Sequence, residues 1–457
     1  MKVKSGQSFD LGIRSGRLLS MKNGEGQILE DYFIGVQGDT ITEVSAYQNS
    51  FASECKKFID ASSKIMIPGL INGHTHLAMS LFRGFEDDLP FEEWLRKRIF
   101  PIESAVVDEN FVRIGTSLGA MESIRFGTTT VSDHYYFPHT MADVIDKAGM
   151  RGLVAQTFMD GAMPDDRHPE KRSLAERVQS FKPFYEKYKN HPRIQPTLGP
   201  HSPYADSDEL IRLIAQIAKE LSVPVHMHVC ETMREVNESL ARYQKTPFIR
   251  LNELGILNDK FIAAHGVHLS DEEIDLCFHQ GVSIIYNPDS NLKLSSGIAP
   301  IAQYLKKGIK LGIGSDGAAS NNDLSLFGAM DLGTKLQKLS NQDTTAMVAL
   351  DALNLATYEG ARALGLGSKI GSIEVGKKAD LVLLGTHHPH VQPLYSVLSQ
   401  LVYAYQGLEV ETVICDGKML FDQGQYLTLN EKQVLAEVEQ MRLKIQHQLT
   451  QLQSVQT

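Results

Sequence analysis

Paired cysteines, a basic surplus and long apolar runs are all missing from this chain of 457 residues. The four cysteines, Cys55, Cys230, Cys277 and Cys415, lie far apart. That spacing excludes a disulfide framework and a cysteine-based zinc site, and fits buried free thiols in a reducing compartment. Lys and Arg number 45 against 55 Asp and Glu, a formal charge of -10. A nucleic-acid partner needs a basic face, so none is expected. No apolar stretch is long enough to span a bilayer, so no membrane partner is expected either. The first residues are polar and offer no apolar segment of a secretion signal, which predicts a cytoplasmic protein. Internal repeats and low-complexity tracts are also lacking. What remains is an ordinary globular composition, 42% hydrophobic and 22% charged, at a length that suits one large domain and a smaller one.

The middle of the chain alternates two kinds of segment. Apolar, β-branched runs at 66–76, 128–134, 152–160, 193–202, 223–231, 261–268, 282–287 and 309–316 read as buried strands. Helical patterns separate them. Leu210, Ile211, Ile214, Ile217 and Leu221 share one helical face. Ser270 with Glu273 forms a capping-box pattern, and Gly281 and Gly308 stand where helices should stop. Eight such strands with intervening helices predict an α/β fold, a (β/α)8 TIM barrel, over 65–367. The two ends read as short strands broken by Gly and Asn, with an Asp416-Gly417 turn in the second. We assign 1–64 and 368–429 to one small β-sandwich-like domain formed from both chain ends, and 430–457 to a C-terminal helix carrying Leu435, Val438, Met441, Leu443 and Ile445.

Several polar residues stand at the far ends of the apolar runs, and a parallel barrel gathers those ends at one mouth. His74 and His76 flank one residue, so in a strand both point to the same side. His226 and His228 repeat that spacing in the fifth run; His228 lies nearer the mouth, leaving His226 as an interior histidine. His265 ends the sixth run and Asp316 follows the eighth. Three imidazoles and a carboxylate make a site for one divalent metal ion; zinc suits such ligands, with Fe(II) and Mn(II) also compatible. No lysine stands at the end of the fourth run, in Gly199-Pro-His201-Ser-Pro-Tyr204, so no bridging ligand for a second ion is expected. Glu231, just past the fifth run, is placed for general acid/base work. Together these read as metal-assisted hydrolysis.

The motifs PGLINGHTH (68–76), LPFEEWLRKRIFPIE (89–103), GPHSPY (199–204), HVCE (228–231), NPDSNLKL (287–294), SDGAASNN (315–322) and GKKADLVLL (376–384) carry a family resemblance. The chain resembles the amidohydrolase superfamily and, within it, the 5-methylthioadenosine/S-adenosylhomocysteine deaminases. The resemblance implies His74, His76, His228 and Asp316 as zinc ligands, and Glu231 as the group that protonates the purine ring. It implies His265 beside the attacking water, Asp316 as proton acceptor, Glu103 on the ribose hydroxyls, His201 on the ribose side and Trp94 in the pocket wall. Members that take S-adenosylhomocysteine are expected to offer arginines near the third strand. Here Gln156 stands in that place, and Arg167 in the next loop is the remaining candidate. The expected partner is therefore a small nucleoside; a free heterocycle (guanine, cytosine, a pterin, a triazine) is the alternative within enzymes, and a metal-free scaffold the alternative outside them. Association of copies into a homo-oligomer is left open.

Overall fold

The structure, a computed structural model, describes residues 8–456. Eight parallel strands follow one another in sequence order around a barrel: Leu70–Thr75, Thr128–Tyr135, Arg151–Phe158, Ile194–Pro200, Val225–Val229, Phe261–His265, Ser283–Tyr286 and Lys310–Ile313. Helices on the outside cover them, so the strands are buried on both faces; most are apolar, but Thr128–Tyr135 (TTTVSDHY) is polar and still fully buried. The ring closes between the eighth strand and the first. There Asp316 N–H donates to the His74 carbonyl at 3.0 Å, and Thr75 bridges Asp316 in parallel register. Gly314 lets this seam close: a Cβ there would meet Asn287 Oδ1 at 2.4 Å and the His74 carbonyl oxygen at 2.7 Å.

The helix signals hold. Ser270 and Glu273 form a capping box at the start of Asp271–Gln280, and Gly281 ends it at φ +71°. Gly308 ends Ile301–Lys307 at φ +81°. Leu210, Ile211, Ile214 and Ile217 form the buried face of Asp208–Leu221.

The second sheet has eight strands taken from both chain ends, ordered Gln425–Tyr426, Lys418–Asp422, Val410–Cys415, Leu381–Leu384, Cys55–Pro68, Phe9–Leu19, Ile28–Gln37 and Thr40–Ala46. Here the run at 66–76 needs correction. It is not one strand but two: Met66–Pro68 ends a 14-residue strand of this outer sheet, and the barrel strand starts at Leu70. Gly69 makes the break because a side chain would strike Thr129, with Oγ1 only 2.2 Å from its Cβ. The C-terminal helix Glu431–Gln456 packs against Glu109–Arg125, with Arg113 paired to Glu437 at 2.7 Å. It buries Val434, Met441 and Ile445 and turns Leu435 and Leu443 to solvent, so those two do not belong to its packed face.

Candidate active site

Strand ends supply the site, and their backbones are strained there. Cys230, His265 and Asp316, at the mouth ends of the fifth, sixth and eighth strands, have φ of +54°, +74° and +58°. Non-glycine residues adopt this left-handed region at a cost, and such strain clusters at functional sites because the surrounding packing enforces it.

Four side chains converge. His74 Nε2 and His76 Nε2 lie 3.3 and 3.2 Å from Asp316 Oδ1, and His228 Nε2 lies 3.2 Å from His76 Nε2. Ligands about 2.0–2.1 Å from a tetrahedral ion stand roughly 3.4 Å apart, so these three separations match. His74 Nε2 is buried without a hydrogen-bond partner in the protein, which is what an ion would satisfy. Each imidazole is turned the right way by its other nitrogen. His74 Nδ1 meets His226 Nε2 at 3.0 Å, and His226 Nδ1 meets Ser132 Oγ at 3.0 Å. His228 Nδ1 donates to the His201 carbonyl at 2.8 Å, and His76 Nδ1 donates to the His134 carbonyl. A ring that donates outward from Nδ1 presents a lone pair at Nε2. Burial pushes His74 down to about 3, so it is neutral and able to coordinate. The residues present fit one divalent ion. His226, one layer down, orients His74.

The convergence lies in a half-open cleft at the barrel mouth. Glu231, His265, Glu103, His201 and Trp94 all line it. Burial, reinforced by the charge of Asp316, pushes Glu231 up to about 8, a carboxyl that keeps its proton at neutral pH. Glu103 is buried and accepts a hydrogen bond from Tyr135 Oη at 2.6 Å. Trp94 sits in a π-helical turn, Trp94–Ile99, inside the long connection after the first strand. Arg167 is not in this wall. Its guanidinium donates to the carbonyls of Pro164 and Val107, both at 3.2 Å. Among the described residues no lysine or arginine lines the cavity.

The sequence reading passed over the residues that hold these groups in place. Glu235 accepts from the N–H groups of Cys230 and Glu231, each at 2.9 Å, and so fixes the strained turn that presents Glu231. Ser290 and Ser320 donate to Asp316 Oδ2 at 2.6 and 2.8 Å. One signal was available: Thr232-x-x-Glu235 is a capping-box pattern, with Thr232 capping Met233–Tyr243.

Comparison with known proteins decides the family. A family model described as "Amidohydrolase family" matches residues 65–420. This chain belongs to the amidohydrolase family. Among similar amidohydrolases is a 5-methylthioadenosine/S-adenosylhomocysteine deaminase of Thermoanaerobacter pseudethanolicus, 39% identical over 431 residues, covering 94% of this chain and 98% of that protein. A 5'-deoxyadenosine deaminase of Methanocaldococcus jannaschii is 40% identical over 407 residues, 89% and 94% of the two chains. A solved adenosine deaminase from Xanthomonas campestris with bound zinc superposes with a TM-score of 0.92 at 36% identity, covering 96% of this amidohydrolase and 99% of that chain.

Proposed function

We propose that this amidohydrolase deaminates a 5′-substituted adenosine, replacing the exocyclic amine of the ring with oxygen from water and releasing ammonia, and that its ion is zinc. One observation carries the reading: a single cavity holds both an ionisable carboxyl suited to ring protonation, Glu231, and a second carboxylate, Glu103, with free acceptor capacity for a sugar diol. A free base would leave Glu103 buried with Tyr135 as its one hydrogen-bond donor among the described residues.

His74, His76, His228 and Asp316 would hold the ion, which would supply Lewis acidity to activate water at neutral pH. Asp316 takes a proton from the attacking water, with its Oδ2 steadied by Ser290 and Ser320. Glu231 gives a proton to the ring nitrogen beside the amine-bearing carbon, so that charge does not build up on the ring. Asp316 then passes the proton it took from water to the amine nitrogen, Glu231 recovers a proton from the hydroxyl of the adduct, the carbon–nitrogen bond breaks, and ammonia leaves. In this reading His201 contacts the sugar and His265 stands beside the attacking water.

The cavity lining carries Met79, Phe91, Trp94, Leu95 and Leu294 and, among the described residues, no lysine or arginine. An apolar 5′ group such as methylthio or the bare deoxy carbon suits it better than a tail ending in a carboxylate. The test is a substrate panel read by the ultraviolet change on adenine deamination and by ammonia release: 5-methylthioadenosine, 5′-deoxyadenosine, adenosine, S-adenosylhomocysteine, guanine and a chlorotriazine. The proposal expects turnover of the first three, with S-adenosylhomocysteine slower. Turnover confined to free bases or the triazine would overturn it.

A further inference from the structure

The motif Asn287-Pro-Asp-Ser-Asn-Leu-Lys-Leu294 follows the seventh strand and forms the short helix Pro288–Lys293, and its Asn287, Ser290 and Asn291 side chains reach the site residues His265 and Asp316. Asn291 Nδ2 lies 3.0 Å from His265 Nδ1, and Asn287 Nδ2 lies 3.4 Å from the same nitrogen. The orientation of Asn287 is fixed independently. Its Nδ2 also donates to the Ile285 carbonyl at 3.3 Å, and the reverse orientation would set two oxygens against each other. The Asn287 N–H therefore faces His265 Nδ1, with Asn291 Nδ2 beside it, so Nδ1 accepts; a proton on Nδ1 would oppose the Asn287 N–H. The one ring proton of the neutral imidazole then sits on Nε2, the nitrogen that faces the cavity and lies 3.8 Å from Glu231 Oε2.

We propose that Asn287 and Asn291 are positioning residues that lock His265 as its Nε2–H tautomer, making it a hydrogen-bond donor to the attacking oxygen and barring it from the metal. This decides a choice the distances alone leave open. His74, His228 and His265 lie close enough to bind an ion as a triad, as do His74, His76 and Asp316. A nitrogen that carries a proton has no lone pair to give, so the first triad is excluded. The same helical turn also sets the base, because Ser290 Oγ donates to Asp316 Oδ2 at 2.6 Å. One element thus orients a donor and an acceptor on the two sides of the attacking oxygen, where a fixed donor stabilises developing negative charge.

The inference rests on the hydrolytic reading above, and its test separates the two. Long-range proton–nitrogen correlation on the zinc-loaded protein, labelled with 15N-histidine and assigned with His265→Gln, reads the tautomer directly. Wild-type protein should show His265 protonated at Nε2 and unprotonated at Nδ1, whether or not any nucleoside is turned over. Asn291→Asp offers a carboxylate that can only accept, and should move the proton to Nδ1. Its kcat should fall about 10²-fold, with KM within threefold of wild type and one bound zinc retained. Asn291→Leu, which removes the donor without inviting the proton across, should lose less. An Nδ1–H signal for His265 in the wild type would overturn the inference, as would an Asn291→Asp protein with inverted tautomer and unchanged kcat. A wild type with the expected tautomer but no activity on any nucleoside would sink the deaminase reading alone.

Discussion

Asp316 donates its backbone N–H to the carbonyl of His74 at 3.0 Å while its carboxylate lies 3.3 Å from the same residue's Nε2. The seam that closes the barrel and the donor set for the ion are therefore one structure. Ion binding and barrel closure should be coupled, because an ion that binds only the folded form stabilises it by mass action.

Removing the ion should accordingly cost stability as well as activity. At free metal 100–1,000 times its dissociation constant the linkage is worth about 3–4 kcal/mol. Dialysis against a chelator should lower Tm and abolish turnover, and one equivalent of zinc should restore both. His228→Ala should show the chelated Tm before any chelator is added. An unchanged Tm on chelation, with activity lost, would separate the ion from the seam.

The pairing of Glu103 with Tyr135 predicts a pH dependence. Burial pushes Glu103 up to about 7, and the Tyr135 hydroxyl partly opposes that shift. Glu103 must be ionised to accept ribose hydroxyls, so kcat/KM for a ribonucleoside should fall as pH drops below about 7. Tyr135→Phe removes the hydrogen bond that favours the ionised form, so the fall should begin at higher pH. The loss of a donor to a buried carboxylate, about 1–3 kcal/mol, should appear mainly in KM. Glu103→Ala should narrow the preference for adenosine over its 2′-deoxy analogue. A pH profile unmoved by Tyr135→Phe counts against this pairing.

Strand-end chemistry was legible in the sequence where a buried parallel strand is mostly apolar, as in the first, sixth and eighth, so a histidine or aspartate at its end is out of pattern. His74, His76, His228, His265 and Asp316 were all visible this way. The same signal misled at 66–76, where two strands of different sheets abut at Gly69 and their apolar residues run together. The strand Cys55–Pro68 went unseen, since its first ten residues, CKKFIDASSK, are polar and half exposed. Glu235, Ser290 and Asn291 were hidden for another reason: each looks like a helix-surface residue, and only the barrel brings it against the group it holds.

The C-terminal helix shows that limit at single-residue scale. Five apolar residues spaced along it gave no unique face, and packing chose Met441 over Leu443. Met441→Ala should destabilise by about 2–5 kcal/mol, the usual range for a large buried side chain. Leu443→Ala, at 53% exposure, should stay within about 0.5 kcal/mol. Denaturant unfolding of both variants checks the register, and equal effects would mean the helix packs on a different face.

Glu235 should prove as consequential for turnover as a group that touches substrate. Its two oxygens accept the N–H groups of Cys230 and Glu231 across a turn in which Cys230 holds φ at +54°. Glu235→Ala leaves two buried donors unpaired, at about 1–3 kcal/mol each, and lets the turn relax. Glu231 would then lose its aim at the ring nitrogen without any change in its own chemistry. The expected result is a kcat loss approaching that of Glu231→Gln, itself about 10²–10⁴-fold, with zinc content intact in both. The two variants should differ in stability. Glu231→Gln keeps the turn and should unfold near wild type, whereas Glu235→Ala should unfold earlier. A Glu235→Ala enzyme that loses stability but keeps wild-type kcat would show that the turn holds its shape without the clamp.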